Sequence, residues 1–356
     1  MKLGLLLFTF LVGFSLTLVA QGPGLRPPGP PPHRQGEPPG LGGRGGPGGR
    51  EHTATEAGLL QLLPADERPP ARNKVKIRER SDEVSIQSNG MPDHLIGEFP
   101  NPGNPNEVRE QDYDIVFPAD PEEASFVTRM QGDSSNRHLR VFGVTLDGVF
   151  LEPGTAEFWM GRRENGWNYE ALGGAVPLGL DANYGHVQPD GNYHYHGLPT
   201  GLMNRLGHEA GKHSPLIGWA ADGFPVYSLY GYKSGNDPLS EVVELKSSFA
   251  LKEGSRPGGS NAPSGGYDGA FFEDYEFIPG SGDLDECNGR FCITPDYPDG
   301  TYAYFLTREW PVVPRAFRGT PVALKPPGGA GGPEGIPGRG GPPQGRPPGG
   351  RPPRPF

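Results

Sequence analysis

Beyond Ala20 the sequence has no apolar run long enough to cross a bilayer, which excludes a protein with several transmembrane spans. The one long apolar run, from Leu3 to Ala20, follows Met1-Lys2 directly. A charged start, an apolar middle and a small residue at the exit are typical of a secretory signal peptide. We therefore predict a signal peptide over residues 1–20 and a secreted, periplasmic or cell-surface protein, with no transmembrane span after cleavage. The alternative is an uncleaved membrane anchor.

Cysteine is also scarce, with two residues in a chain of 356. This number excludes a disulfide-dense scaffold and a zinc site built from four thiolates. In an exported protein Cys287 and Cys292 are expected to form one disulfide that fixes a local turn. The alternative is a metal site that uses their thiolates.

The motifs of several large enzyme classes are missing. No nucleophile elbow, phosphate-binding loop or dinucleotide fingerprint stands in the strand and helix context that it requires. His208 and His213 do not form the zinc-protease pattern, because the second histidine follows the first by five residues rather than four. Nucleic acid is not expected as a partner, since the net charge is −10 and no known binding module is present.

Two segments consist largely of glycine, proline and arginine. Residues 21–72 form a linker with a short possible helix at Glu56–Leu63, and residues 325–356 form a tail. The compositions of residues 21–50 and 325–356 predict disorder or a polyproline-like conformation, because these residues offer little to bury. Residues 21–50 carry four Arg and one Glu, net +3, and the tail carries one Lys, four Arg and one Glu, net +4. Such segments are interpreted first as solvating spacers, and the alternative is that their basic residues bind an anionic cell-surface polymer.

The intervening residues 73–324 predict one mainly β domain. Short runs rich in β-branched and aromatic residues alternate with Gly, Pro, Asn and Asp, and examples are Lys74–Ile77, Tyr113–Phe117, Leu139–Val144, Phe224–Tyr227 and Tyr302–Phe305. This pattern predicts antiparallel sheets in a sandwich-like arrangement with long loops. A few short helices are expected, at Leu202–His208 and Ser240–Phe249.

The strongest chemical signal is the segment Tyr193-His194-Tyr195-His196. The Asp190-Gly191 turn precedes it and Gly197-Leu198-Pro199 follows it, which predicts a short strand. Alternation along a strand places His194 and His196 on one face. Two imidazoles on one face suit a transition metal, copper or zinc, if a third ligand comes from elsewhere. The candidates are His186, which can fold back across the turn, then His208, His213 and Asp222, and finally the acidic residues Asp283, Asp285 and Glu286.

A second segment has the same outline. Asp299-Gly300-Thr301-Tyr302-Ala303-Tyr304-Phe305 also has Asp-Gly, one further residue and then Tyr-x-Tyr. Ala303 and Phe305 stand where the first segment has its histidines. The tyrosines of such a strand are therefore interpreted as architecture, and the face between them as one that normally packs inward.

An acidic cluster, Asp283, Asp285 and Glu286, directly precedes Cys287. Carboxylates and loop carbonyls are the ligands that calcium prefers, so a calcium-bound loop is one interpretation. The other is an exposed acidic turn.

Several stretches together resemble the YHYH-domain family, a family of extracellular domains of poorly defined function. The stretches that carry the likeness are Ser88–His94, Phe99–Asn106, Tyr193–Gly197, His213–Tyr227, Asp283–Arg290 and Gly300–Tyr304. The resemblance covers roughly Val75 to Leu324 and directs attention to His94, His213 and Asp222 beside the central pair. Family members often have a second Tyr-His-Tyr near the C-terminal end. Here Ala303 and Phe305 replace it, so the site should rely on the first segment.

Binding of copper or zinc is thus the leading functional hypothesis. The first alternative is a metal-free structural or adhesive module of the cell surface, and the second is a metal-dependent hydrolase or copper oxidoreductase. An enzyme needs an open position on the metal, whereas a structural site is closed by four protein ligands. The sequence leaves open whether the protein is an enzyme.

Overall fold

A computed structural model describes residues 52–130 and 140–324. The predicted signal peptide, the basic residues 21–50 of the linker and the tail 325–356 lie outside these ranges. No helix in the described ranges is long and apolar enough to span a membrane.

The described chain is mainly β, which confirms the predicted fold class. Its strands are β1 (Val75–Glu79), β2 (Glu83–Ser88), β3 (Tyr113–Pro118), β4 (Glu123–Arg129), β5 (Gly143–Thr145), β6 (Phe150–Leu151), β7 (Gly185–Val187), β8 (Tyr193–Tyr195), β9 (Leu216–Ala220), β10 (Pro225–Tyr227), β11 (Tyr230–Tyr232), β12 (Val242–Glu244), β13 (Phe249–Leu251), β14 (Tyr275–Phe277), β15 (Gly289–Cys292), β16 (Thr301–Phe305) and β17 (Ala316–Gly319). One α-helix, α1 (Thr200–Arg205), and 3-10 turns at Arg163–Asn165 and Phe272–Asp274 accompany them.

The largest sheet has eight strands in the order β15-β16-β10-β9-β5-β6-β8-β7. Its centre is the antiparallel pair β5 and β9. On one side β9 pairs with β10 antiparallel, β10 pairs with β16 parallel, and β16 pairs with the edge strand β15 antiparallel. On the other side β5, β6, β8 and the edge strand β7 follow the same sequence of antiparallel, parallel and antiparallel pairs. The sheet is therefore two copies of one four-strand arrangement, and the two Tyr-x-Tyr segments occupy the equivalent strands β8 and β16.

Buried tyrosine hydroxyls tie each copy together by donating to aspartates. The pairs are Tyr193 with Asp181 (2.8 Å), Tyr195 with Asp147 (3.0 Å), Tyr302 with Asp285 (2.9 Å) and Tyr304 with Asp222 (2.5 Å). A glycine lies beneath the first tyrosine of each copy. A Cβ at Gly185 would lie 2.2 Å from the Tyr193 hydroxyl, and one at Gly289 would lie 2.3 Å from that of Tyr302. The tyrosine positions are thus architectural in both copies, as the sequence comparison of the segments indicated.

Each face of the large sheet is covered. The sheet β1-β2-β3 packs on one face, where Ile86 and Ile115 join Val144, Phe150 and Trp219 in one apolar cluster. The opposite face carries a larger cluster that includes both tyrosines of each Tyr-x-Tyr segment and Leu202 of α1. Face-to-face packing of this kind is the sandwich-like arrangement that the sequence predicts.

The structure corrects two of the predicted helices. Glu56–Leu63 is not helical, because Gly58 packs against Gly174 and its amide donates to the carbonyl of Gly173 rather than to a preceding turn. Ser240–Phe249 contains β12, whose residues pair with β11 rather than with their own preceding turn. The predicted helix Leu202–His208 exists as α1 but is shifted towards the N-terminus.

The predicted disulfide is wrong, because Cys287 and Cys292 are both buried free thiols. Cys287 packs in the cluster beneath the tyrosines, and Cys292 packs in a separate cluster with Tyr227 and Phe305. Cys292 is the last residue of the extended strand β15, and the three steps from Gly289 to Cys292 alone cover about 10 Å, at about 3.3 Å per residue. A disulfide needs a Cα separation below about 7 Å.

Candidate metal centre

The hairpin of β7 and β8 builds the site. The amide of Gln188 donates to the carbonyl of Asn192 at 2.9 Å, and the amide of Gly191 donates back to the carbonyl of Gln188 at 2.9 Å. Gly191 has a φ of +90°, a conformation that favours glycine. The resulting register pairs His186 with His194. Residues directly opposite on antiparallel strands share a face, so the turn brings a third imidazole beside the pair.

Three imidazole nitrogens converge at this point. His196 Nε2 lies 3.1 Å from His194 Nε2 and 3.1 Å from His186 Nε2. The three ring centroids are 4.7 Å apart in every pair. We call His186, His194 and His196 the triad. Across residues 52–130 and 140–324 it is the only group of three His, Cys, Asp or Glu whose ligand atoms all lie within 4.8 Å of one another.

The outer nitrogens fix two of the tautomers. His186 Nδ1 lies 3.0 Å from the carbonyl oxygen of Leu178, and His194 Nδ1 lies 3.3 Å from that of Asn192. A carbonyl oxygen only accepts, so each Nδ1 carries a hydrogen and donates it. In the neutral rings, both Nε2 atoms are then bare lone pairs that point into the triad.

Burial keeps these imidazoles neutral. His194 and His196 are 1% and 2% exposed, and His186 is partly buried. Removal from water disfavours the charged ring, and it lowers the pKa of His186 to about 4 and the pKa values of His194 and His196 well below their usual range. Neighbouring imidazoles lower the pKa of His194 and of His196 further. Neutral imidazole is the form that binds metals.

A carboxylate borders the triad. Glu152 Oε2 lies 4.0 Å from His194 Nε2, and Gln188 donates to the same oxygen at 2.7 Å. Glu152 is 8% exposed, and burial raises the pKa of its carboxyl to about 7. The sequence did not predict that Glu152 and Gln188 lie beside the triad. The signal for Glu152 was weak, namely one acidic residue directly after the apolar run Val149–Leu151.

The structure does not bring the other predicted ligands to the triad. His94 Nε2 lies 2.6 Å from the Tyr195 hydroxyl, on the opposite side of β8. His213 packs among aromatic rings, with centroids 5.2 Å from Tyr227 and 4.9 Å from Tyr232. Asp222 accepts hydrogen bonds from Tyr304 and from the amide of Gly319. His208 stacks on Tyr230 and lies near two buried serines.

The three carboxylates of the acidic cluster each have a protein partner. Asp283 accepts from the amide of Lys246 at 2.8 Å, and Glu286 pairs with Arg129 at 2.7 Å. Asp285 accepts from the Tyr302 hydroxyl and from the amides of Cys287 and Gly289. These contacts hold a loop and an edge strand in place.

Comparison with known proteins gives one positive result. A protein-family model described as "YHYH protein" matches residues 114–319, which is more than half of the chain. The triad and Glu152 lie inside this range. Searches of curated proteins and of solved structures found no match.

Proposed function

This chain belongs to the YHYH protein family, and we propose that it binds one ion of copper or zinc through the triad. Three imidazole nitrogens are a donor set that both metals accept. The family does not itself specify a ligand, so the proposal depends on the geometry of the triad.

The proposal depends on one observation: the Nε2 lone pairs of the triad face each other in the protein interior. The Nε2 atoms of His186 and His194 cannot donate, because their hydrogens are on Nδ1. His196 Nε2 is 3.1 Å from both and has one hydrogen at most, so it can satisfy only one of them. A cation at the centre would satisfy all three. Ligands about 2.1 Å from an ion with tetrahedral angles are about 3.4 Å apart, which is close to the spacing of the triad.

The carbonyl contacts of the outer nitrogens support the same interpretation. Histidine ligands of metals usually donate their second N–H to a carbonyl or carboxylate, which fixes both tautomer and ring orientation. Leu178 and Asn192 supply such carbonyls to His186 and His194. The absence of carboxylates among the three donors favours copper or zinc over calcium.

Metal analysis of the purified, untagged protein tests the proposal. We expect about one copper or zinc ion per chain after metal exposure and removal of loosely bound ions. The same preparation, stripped with a chelator, should take up one equivalent again in a calorimetric titration. A chain that takes up neither metal in either measurement would contradict the proposed function.

The pH dependence of binding is a second expected result. Protons compete with the metal for the Nε2 lone pairs, but burial lowers the pKa of His186 to about 4. Affinity should therefore hold down to about pH 5 and fall as the pH approaches 4. An unstructured peptide of residues 190–198 is the control, and its affinity should already fall below about pH 6.5, the usual imidazole pKa. Equal pH profiles for protein and peptide would show that burial does not protect the site.

We also propose that the protein is exported. The apolar run Leu3–Ala20 after Lys2 supports this location. A metal site made of imidazoles contains no thiolate that could be oxidised, so it is compatible with an oxidising compartment.

A further inference from the structure

Glu152 shares the face of the triad because of strand register. β6 runs parallel to β8, and Phe150 pairs with His194. The amide of Glu152 donates to the carbonyl of Tyr195 at 2.9 Å and extends this ladder by one step. Alternation places Glu152 on the side of Phe150, which is the side of His194. The carboxylate therefore reaches the triad through the fold and not through sequence proximity.

The hydrogen bonding of this carboxylate is incomplete. Its Oε2 accepts one bond from Gln188, at 2.7 Å, whereas an ionised carboxylate has about four acceptor positions. The side chain is almost fully buried, and a buried charge is costly unless it is paired and hydrogen-bonded. His194 Nε2 lies 4.0 Å from Oε2, but it is a bare lone pair and cannot donate. A donor is therefore missing between Glu152 and the triad.

The distances separate two possible roles for Glu152. A carboxylate that binds the same ion as the triad should lie about 3.4 Å from each Nε2. Glu152 lies 4.0 Å from His194 and is not part of the group whose ligand atoms are within 4.8 Å of one another. A solvent molecule on the ion fits this separation, because its oxygen would lie about 2.1 Å from the ion and about 2.7 Å from the carboxylate.

We propose that the fourth position on the metal is an exchangeable one, occupied by water or hydroxide that donates a hydrogen bond to Glu152 Oε2. This inference rests on the proposed function. Glu152 then acts as a positioning residue for the solvent ligand, and Gln188 holds the carboxylate. The burial of His194 and His196 restricts replacement ligands to small molecules or anions of a few atoms. The site is thereby an open one, as in enzymes that activate water, rather than a closed structural one.

Cobalt(II) and azide test the inference on the full-length mature protein. Co²⁺ takes the place of zinc and reports its ligands through its visible absorption. We expect one Co²⁺ per chain, and we expect saturable spectral changes when azide replaces the solvent ligand. X-ray absorption of the zinc-loaded protein should give three imidazole nitrogens and one oxygen, both in the wild type and in Glu152→Ala. Loss of Glu152 should weaken metal affinity by about 10- to 100-fold, as for other outer partners of metal sites.

Two further variants separate the role of the Glu152 carboxylate from effects on packing and on surface charge. Glu152→Gln preserves the size of the side chain, so an altered azide affinity in this variant cannot be attributed to loss of packing. Glu276→Gln, at an exposed position of β14, is the control and should behave as the wild type. An azide-insensitive wild type whose oxygen ligand disappears in Glu152→Ala would overturn the proposal, because Glu152 would then be a direct ligand. If the wild type binds no Co²⁺, that result contradicts the proposed metal binding by the triad, and not only the proposed solvent ligand.

Discussion

Replacement of both His194 and His196 by alanine should abolish metal binding. Each single replacement should lower the affinity by more than about 100-fold, which exceeds the effect of losing an outer partner. The reason is geometric, since all three Nε2 atoms face one point and two remaining imidazoles cannot enclose an ion there. Calorimetric titration measures the affinities. The metal-induced rise in melting temperature should disappear with them, because the ion stabilises only the folded state that binds it.

His208→Ala is the matched control for these variants. His208 is also partly buried and close to other polar side chains, but it lies outside the triad. Its loss should leave stoichiometry and affinity unchanged. If the His194 and His196 variants bind metal as tightly as His208→Ala does, the ion is held elsewhere in the chain.

Asp181→Ala should be among the most destabilising single substitutions. This fully buried carboxylate accepts hydrogen bonds from the amides of Gly97, Asn183 and Gly185 and from the Tyr193 hydroxyl. Alanine would leave four buried donors without their acceptor, and each such donor costs about 1–3 kcal/mol. We expect the free energy of unfolding to fall by at least about 4 kcal/mol in chemical denaturation, which is a large part of the stability of a typical domain.

The second copy of the fold provides the comparison. Asp285 occupies the equivalent position beneath Tyr302 but accepts from fewer donors and is partly exposed. Water can replace some of its contacts, so Asp285→Ala should cost only about 1–2 kcal/mol. Equal losses for the two variants would show that the hydrogen bonds to these aspartates do not set the stability of the copies.

The sequence predicts the part of the site that depends on local rules. Strand alternation is enough to place His194 and His196 together, and the Asp190-Gly191 turn makes His186 a candidate. Alternation and turn chemistry do not choose between His186 and His213, because that choice depends on which strands pair. The parallel pairing of β6 with β8 joins residues about forty positions apart, and no local sequence pattern predicts this pairing.

The errors have the same physical origin. Helical periodicity over Ser240–Phe249 is overridden by the pairing of β12 with β11. The spacing of Cys287 and Cys292 suggests a closed loop, but the intervening residues pair with β16 and are stretched. In both cases a tertiary contact, invisible in the local sequence, decides the conformation.

The repeated architecture of the large sheet has a consequence for its motions. One copy fills its inner face with the fully buried side chains of Ala303 and Phe305, whereas the other has the imidazoles of His194 and His196 at the equivalent places. Transient local opening begins where packing contributes least, and β7 is an edge strand. We therefore expect the β7–β8 hairpin to open more often without an ion than with one. An ion held by the triad would slow this opening and leave β15 and β16 unaffected, because all three histidines belong to the β7–β8 hairpin and the residue that follows it.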